Sequence, residues 1–132
     1  MTKGYLALIL HAHLPYVRHP EYAYSLEEKW FFEAITECYI PLLSAFQELE
    51  KDGIAFRLTF SLSPTLLAMM EDPFLQDRYG DYLSKQQELA HREEERTGGD
   101  PVFFPLARMY RKNLEHVSSF YNEKYGRQLV RP

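Results

Sequence analysis

The chain has 132 residues, 45% of them hydrophobic and 15% aromatic, enough for one domain with a real core and too few to expect two. Fifteen basic and nineteen acidic residues leave a formal charge of -4 with no basic cluster, which argues against nucleic acid and against anionic membrane surfaces as partners. Its one cysteine, Cys38, excludes an internal disulfide, a CxxC redox motif and cysteine-rich zinc modules, so a reducing, cytoplasmic location is expected.

The amino terminus carries Lys3 and a short apolar run that ends at histidines, unlike a signal peptide with its small-residue cleavage site. No stretch approaches the roughly 18 apolar residues of a membrane span. Residues 5–10, Tyr-Leu-Ala-Leu-Ile-Leu, predict a strand whose continuous apolar character fits cover on both faces. It runs directly into His11-Ala12-His13-Leu14-Pro15-Tyr16. In parallel α/β folds the loops leaving the carboxyl ends of strands hold ligands and reacting groups, so this junction is the first place to look for function.

Residues 14–24 read as a loop stiffened by Pro15 and Pro20 and rich in tyrosine and histidine rings. Ser25 and Glu28 have capping-box spacing, and Phe31, Ala34, Cys38, Leu42, Ala45 and Leu49 then follow the helical period. Pro41 should bend this helix, and Lys51-Asp52-Gly53 should end it. A second strand over residues 55–62 alternates Phe56, Leu58, Phe60 and Leu62 with smaller or polar neighbours, giving a β-α-β unit.

Ser63-Pro64 and Asp72-Pro73 each resemble an N-cap followed by proline at the first helical position, and the second of these helices runs to about Arg96. The charges from Arg92 to Arg96 read as a solvated helix end, and Thr97-Gly98-Gly99-Asp100-Pro101 as a loop. A last helix over residues 105–125 places Leu106, Tyr110, Leu114, Val117 and Tyr121 on one face, with Gly126 as its C-cap. Two strands with a mostly helical remainder do not complete an α/β architecture, because a parallel sheet needs more strands and cover on both faces.

A His-x-His segment in extended conformation turns both rings to one face. Such a pair can chelate a metal, hydrogen-bond a polar ligand, or satisfy neighbouring backbone. Spacing fixes no third ligand, since His19, His91 and His116 lie in loops or helices, and no metal is assigned. Trp30, the one indole, either stacks on a ligand ring or packs the first helix against the sheet.

The string from Gly4 to Arg18, continued by Glu28-Lys29-Trp30-Phe31-Phe32-Glu33-Ala34-Ile35 and Cys38-Tyr39-Ile40-Pro41-Leu42-Leu43, resembles the amino-terminal end of glycoside hydrolase family 57, and within it the 1,4-α-glucan branching enzymes. His11-Ala12-His13-Leu14-Pro15 matches the family's first motif without a gap, and Pro105 to Tyr110 also looks like the family.

The resemblance implies an α/β fold: residues 1–132 as the amino-terminal fragment of an incomplete (β/α)7 barrel, comprising strand, helix, strand and helical insertion, with no second domain. It places His11 and His13 as substrate-binding residues at the floor of an α-glucan cleft, where they would contact sugar hydroxyls or tune a nearby nucleophile. It implies a retaining mechanism whose nucleophilic glutamate and acid/base aspartate belong to later motifs. No catalytic role therefore falls on Glu27, Glu28 or Glu33, no cofactor is implied, and the chain alone is expected to be inactive. Two alternatives stand beside this: a non-enzymatic glucan- or protein-binding module derived from the same barrel, and a histidine-based metal hydrolase. A barrel fragment would also be expected to self-associate through exposed strand edges and apolar faces.

Overall fold

The computed structural model describes residues 3–130. Strand β1 (Ile9–Ala12) and strand β2 (Thr59–Leu62) pair in parallel, with Ile9 opposite Thr59, Leu10 opposite Phe60, His11 opposite Ser61 and Ala12 opposite Leu62. Between them run helix α1 (Leu26–Ala34), a π-helical turn (Ile35–Tyr39) and helix α2 (Ile40–Lys51). Helices α3 (Pro64–Glu71), α4 (Pro73–Arg96) and α5 (Phe103–Ser119) follow, and a second π-helical turn (Phe120–Lys124) closes the last helix. No helix among the described residues is long and apolar enough to cross a membrane.

Both strands are shorter than their apolar runs, because a ladder extends only as far as its partner. Beyond Ile9 toward the amino terminus, Leu8 still accepts from the Thr59 amide at 3.0 Å, but residues 5–8 and 55–58 are not strand. The expected cover on both faces is also absent among the described residues. Ala12 and Phe60 face the helices and join the core, whereas Ile9 is 68% exposed, and His11, Thr59 and Ser61 are exposed with it.

Ser25 caps α1 as its sequence suggests, its Oγ accepting from the Glu28 amide at 3.4 Å. The reciprocal half of the capping box does not form, because the Glu28 carboxylate is drawn away to His19 and Arg78. Pro41, which lacks the amide a helix interior needs, sits in the first turn of α2 just after the π turn, where the Ile40 amide reaches back to the Ile35 carbonyl. That wide turn inserts one residue and rotates the apolar face. Phe31, Phe32, Ile35 and Ile40 are buried, while Cys38 and Ala45, expected inside, are exposed. Gly53 ends the helix at φ 68°, a left-handed conformation that suits glycine.

Ser63 and Asp72 cap α3 and α4, the Asp72 carboxylate accepting from the Phe74 and Leu75 amides at 2.8 and 3.4 Å. Helix α5 starts earlier than its pattern suggests, since Asp100 accepts from the Val102 and Phe103 amides. Leu106 and Tyr110, expected on its buried face, are exposed, and Ala107 packs inward instead. Glu94 is likewise not a solvated charge, because it pairs with Arg111 across the α4 and α5 interface.

Many of the aromatic residues go into the core. Phe32 and Tyr79 rings lie 5.7 Å apart, and Tyr121 meets Tyr79 edge-on at 4.7 Å. Burial raises the Tyr79 phenol above its ordinary value and pushes Tyr82 and Tyr121 up to about 12. Trp30 does not pack α1 against the sheet; it is 52% exposed.

Candidate functional site

The parallel register puts alternate residues of both strands on a common face. His11 and Ser61 are partners across the ladder, and His13 follows His11 by two residues, so all three belong to the open side of the sheet. Between the histidines, Ala12 is 5% exposed and turned into the core. A small residue there lets the strand end sit close on the helices beneath it.

The two imidazoles stack, with ring centroids 6.2 Å apart and planes inclined by 15°. Both are exposed, and among the described residues neither ring hydrogen-bonds another group. The backbone-satisfying role open to a strand-end histidine is therefore not taken by either. Each neutral imidazole keeps one donor and one acceptor for a ligand, and Ser61 adds a hydroxyl beside them. This set can bind a polyhydroxylated molecule, but it contains no carboxylate placed for acid/base work.

Metal chelation gains nothing from the geometry, since no group of three or more His, Cys, Asp or Glu side chains among the described residues is arranged to hold an ion. Ser61 and Thr65 were not singled out by motif. The alternation of residues 55–62 could have found Ser61, because it sets serine opposite the phenylalanine and leucine face. Thr65 donates to the Leu14 carbonyl at 2.9 Å, tying the residue after His13 to the start of α3. Val17 is buried there too, its amide 3.1 Å from the Met69 sulfur.

A parallel β-α-β unit with one strand face packed on helices and the other open, bearing a histidine pair at its carboxyl edge, is a building unit of α/β folds. The chain belongs to glycosyl hydrolase family 57, whose family model matches residues 7–128. It is 37% identical over 98 residues to a 1,4-alpha-glucan branching enzyme of Thermococcus kodakarensis, a match covering 74% of this chain and 14% of that protein. Among solved structures, an alpha-amylase from Thermotoga maritima superposes with a TM-score of 0.87 at 44% identity, covering 93% of this chain and 23% of the other. A family 57 branching enzyme from Pyrococcus horikoshii superposes with a TM-score of 0.88 at 28% identity, over 97% of this chain and 24% of the other. The chain thus spans a quarter or less of the length of these relatives. Its fold is the amino-terminal part of the (β/α)7 barrel of this family, as the sequence resemblance implies.

Proposed function

We propose that this chain supplies one wall of an α-glucan site, with His11 and His13 as hydrogen-bonding contacts to sugar hydroxyls, in an enzyme that transfers glucan segments to form branches on a glycogen- or starch-type polymer. Residues 1–132 act as a single unit of the barrel. The observation that carries the reading is the stacked pair of exposed imidazoles, with uncommitted ring nitrogens, at the carboxyl edge of β1 in a family 57 chain. A reducing cytoplasm suits the single cysteine and the storage polymer alike.

The chemistry of the family needs two carboxylates: one to attack the anomeric carbon and form a glycosyl-enzyme intermediate, the other to protonate the leaving oxygen and then activate the acceptor. On the family resemblance these belong to later motifs, so the 132-residue chain binds glucan and turns none over. Branching is favoured by the curated relative, and hydrolysis is the second reading, favoured by the 44% identity to the alpha-amylase.

The test is to incubate the purified chain with amylose and follow α-1,6 linkages by proton NMR and reducing ends by colorimetry. Neither should rise above a blank, and a rise in either contradicts the assignment of the reacting carboxylates to later motifs. In a polypeptide carrying this chain with those motifs, accumulation of α-1,6 linkages without matching reducing ends supports branching. Reducing ends alone support hydrolysis.

A further inference from the structure

Glu28 is 2% exposed, does not complete the cap of α1, and has no role in the chemistry described above. One of its oxygens accepts the His19 amide at 2.7 Å, and the other accepts from Arg78 of α4. Arg78 uses its second terminal nitrogen on the Tyr22 carbonyl. On the other side of the same loop, Arg18 donates to Asp72 at 2.7 Å, and Asp72 is itself the N-cap of α4. Both guanidinium groups lie over the Phe74 ring, their central carbons 4.7 Å (Arg18) and 4.6 Å (Arg78) from its centroid. Five side chains thus join loop 14–24 to the first turns of α4.

A buried ion pair adds little stability over packed hydrocarbon of the same volume, because desolvating two charges costs about what their attraction returns. What such a pair does supply is registry. Here the registry concerns the segment that leaves β1 immediately after the histidines. His11 is held by the ladder through its pairing with Ser61, whereas His13 lies outside the strand, between the Ala12 carbonyl, which accepts the Ser63 amide at 3.1 Å, and the Leu14 carbonyl, which accepts from Thr65 at 2.9 Å; these bonds place its backbone, and the clamp fixes the loop that continues from it.

We infer that Glu28, Arg78, Phe74, Arg18 and Asp72 form a positioning clamp that orders loop 14–24 and, through it, steadies His13 more than His11 for contact with the glucan. None of the five touches the sugar. The inference rests on the glucan-site reading for the reason His13 must be fixed, while the clamp itself is measurable without any ligand.

The test uses the 132-residue chain with Arg78→Lys, which keeps the charge but loses the two-pronged fork over the ring, and Phe74→Leu, which keeps apolar bulk but removes the ring face. Arg127→Gln, which breaks the exposed pair with Asp77 on the same helix, is the control. Hydrogen exchange at the His19 amide and the imidazole carbon-proton NMR signals are recorded for each, followed by titration with maltoheptaose.

In Arg78→Lys, exchange at His19 should accelerate by at least about tenfold as the loop opens locally. The His13 signal should move by more than that of His11, whose ring stacks on it, and the maltoheptaose midpoint should rise by about tenfold. Phe74→Leu should shift the same signals in the same direction, and it decides the matter if Arg78→Lys does not fold. Signals of both histidines that stay fixed, or a His11 shift as large as that of His13, overturn the clamp, as does an equal response in the control. A parent chain with an ordered loop but no response to maltoheptaose overturns the glucan reading and leaves the loop measurement standing.

Discussion

The hydrogen-bond chain that ties the crossover to α4 makes a prediction with a definite asymmetry. The Thr36 hydroxyl donates to the Phe32 carbonyl at 2.8 Å, so its one proton is committed. The Tyr79 hydroxyl, 3.0 Å from the Thr36 oxygen, must then be the donor of the second bond, inside a residue with no exposed surface. Tyr79→Phe removes the donor and leaves Thr36 satisfied, which should cost about 1 kcal/mol. Thr36→Val strips the acceptor from a buried phenol and should cost about 2 kcal/mol, the larger penalty of an orphaned donor. The double variant replaces both partners by apolar groups of similar shape and should lose about 1 kcal/mol or less, giving a coupling of about 2 kcal/mol between positions that additivity treats as independent. Urea unfolding of the four proteins, followed by far-ultraviolet circular dichroism with slopes checked for equality, measures each value. A double variant that loses the sum of the single costs would refute the assignment of Tyr79 as donor.

Asp72→Ala should lower stability by about 2 kcal/mol, because it removes the oxygen that accepts both helix-cap amides and the partner of Arg18, and Asp72→Asn, which still accepts from the amides, should recover most of that in the same urea experiment. Alkaline pH should destabilise the fold. The half-buried phenol of Tyr82 and the buried one of Tyr121 hold their protons to about 12, whereas the unfolded chain releases them near the ordinary 10.0, so the unfolded state binds fewer protons and stability falls as pH rises from there to about 12. Unfolding midpoints that stay level across that window would contradict the burial of these rings. The two-stranded sheet, with Tyr5 97%, Leu6 94% and Ile9 68% exposed beside it, should drive self-association. Sedimentation coefficients should therefore rise with concentration, and a single monomeric species throughout would show that these surfaces do not pair.

Features set by neighbours in the chain were legible in the sequence. Ser25, Ser63 and Asp72 cap their helices, α4 ends at Arg96, and Gly53 takes its positive φ, because each depends on a few consecutive residues. Features that depend on a distant partner were not. The strands stop where their ladder stops, which an apolar run does not reveal. The phase of the first helix slips at the π turn before Pro41, so Cys38 moves out and Ile40 moves in. Glu28 has the spacing of a capping box, but Arg78, fifty positions away, captures its carboxylate. The candidate site divides the same way. His-x-His on an extended segment announces two rings on one face, whereas Ser61 joins them only through the register of β2, and the anchoring of the following loop only through α3 and α4.

The central claim is that His11 and His13 contact an α-glucan. Titrating the chain with maltoheptaose while recording the imidazole carbon-proton NMR signals tests it most directly, with cellohexaose as the β-linked control. Saturable displacement of both histidine signals by the α-linked sugar, lost in His11→Ala and His13→Ala and absent with the control, is the predicted result. Histidine signals that stay in place at millimolar maltoheptaose, or respond equally to both sugars, would contradict it.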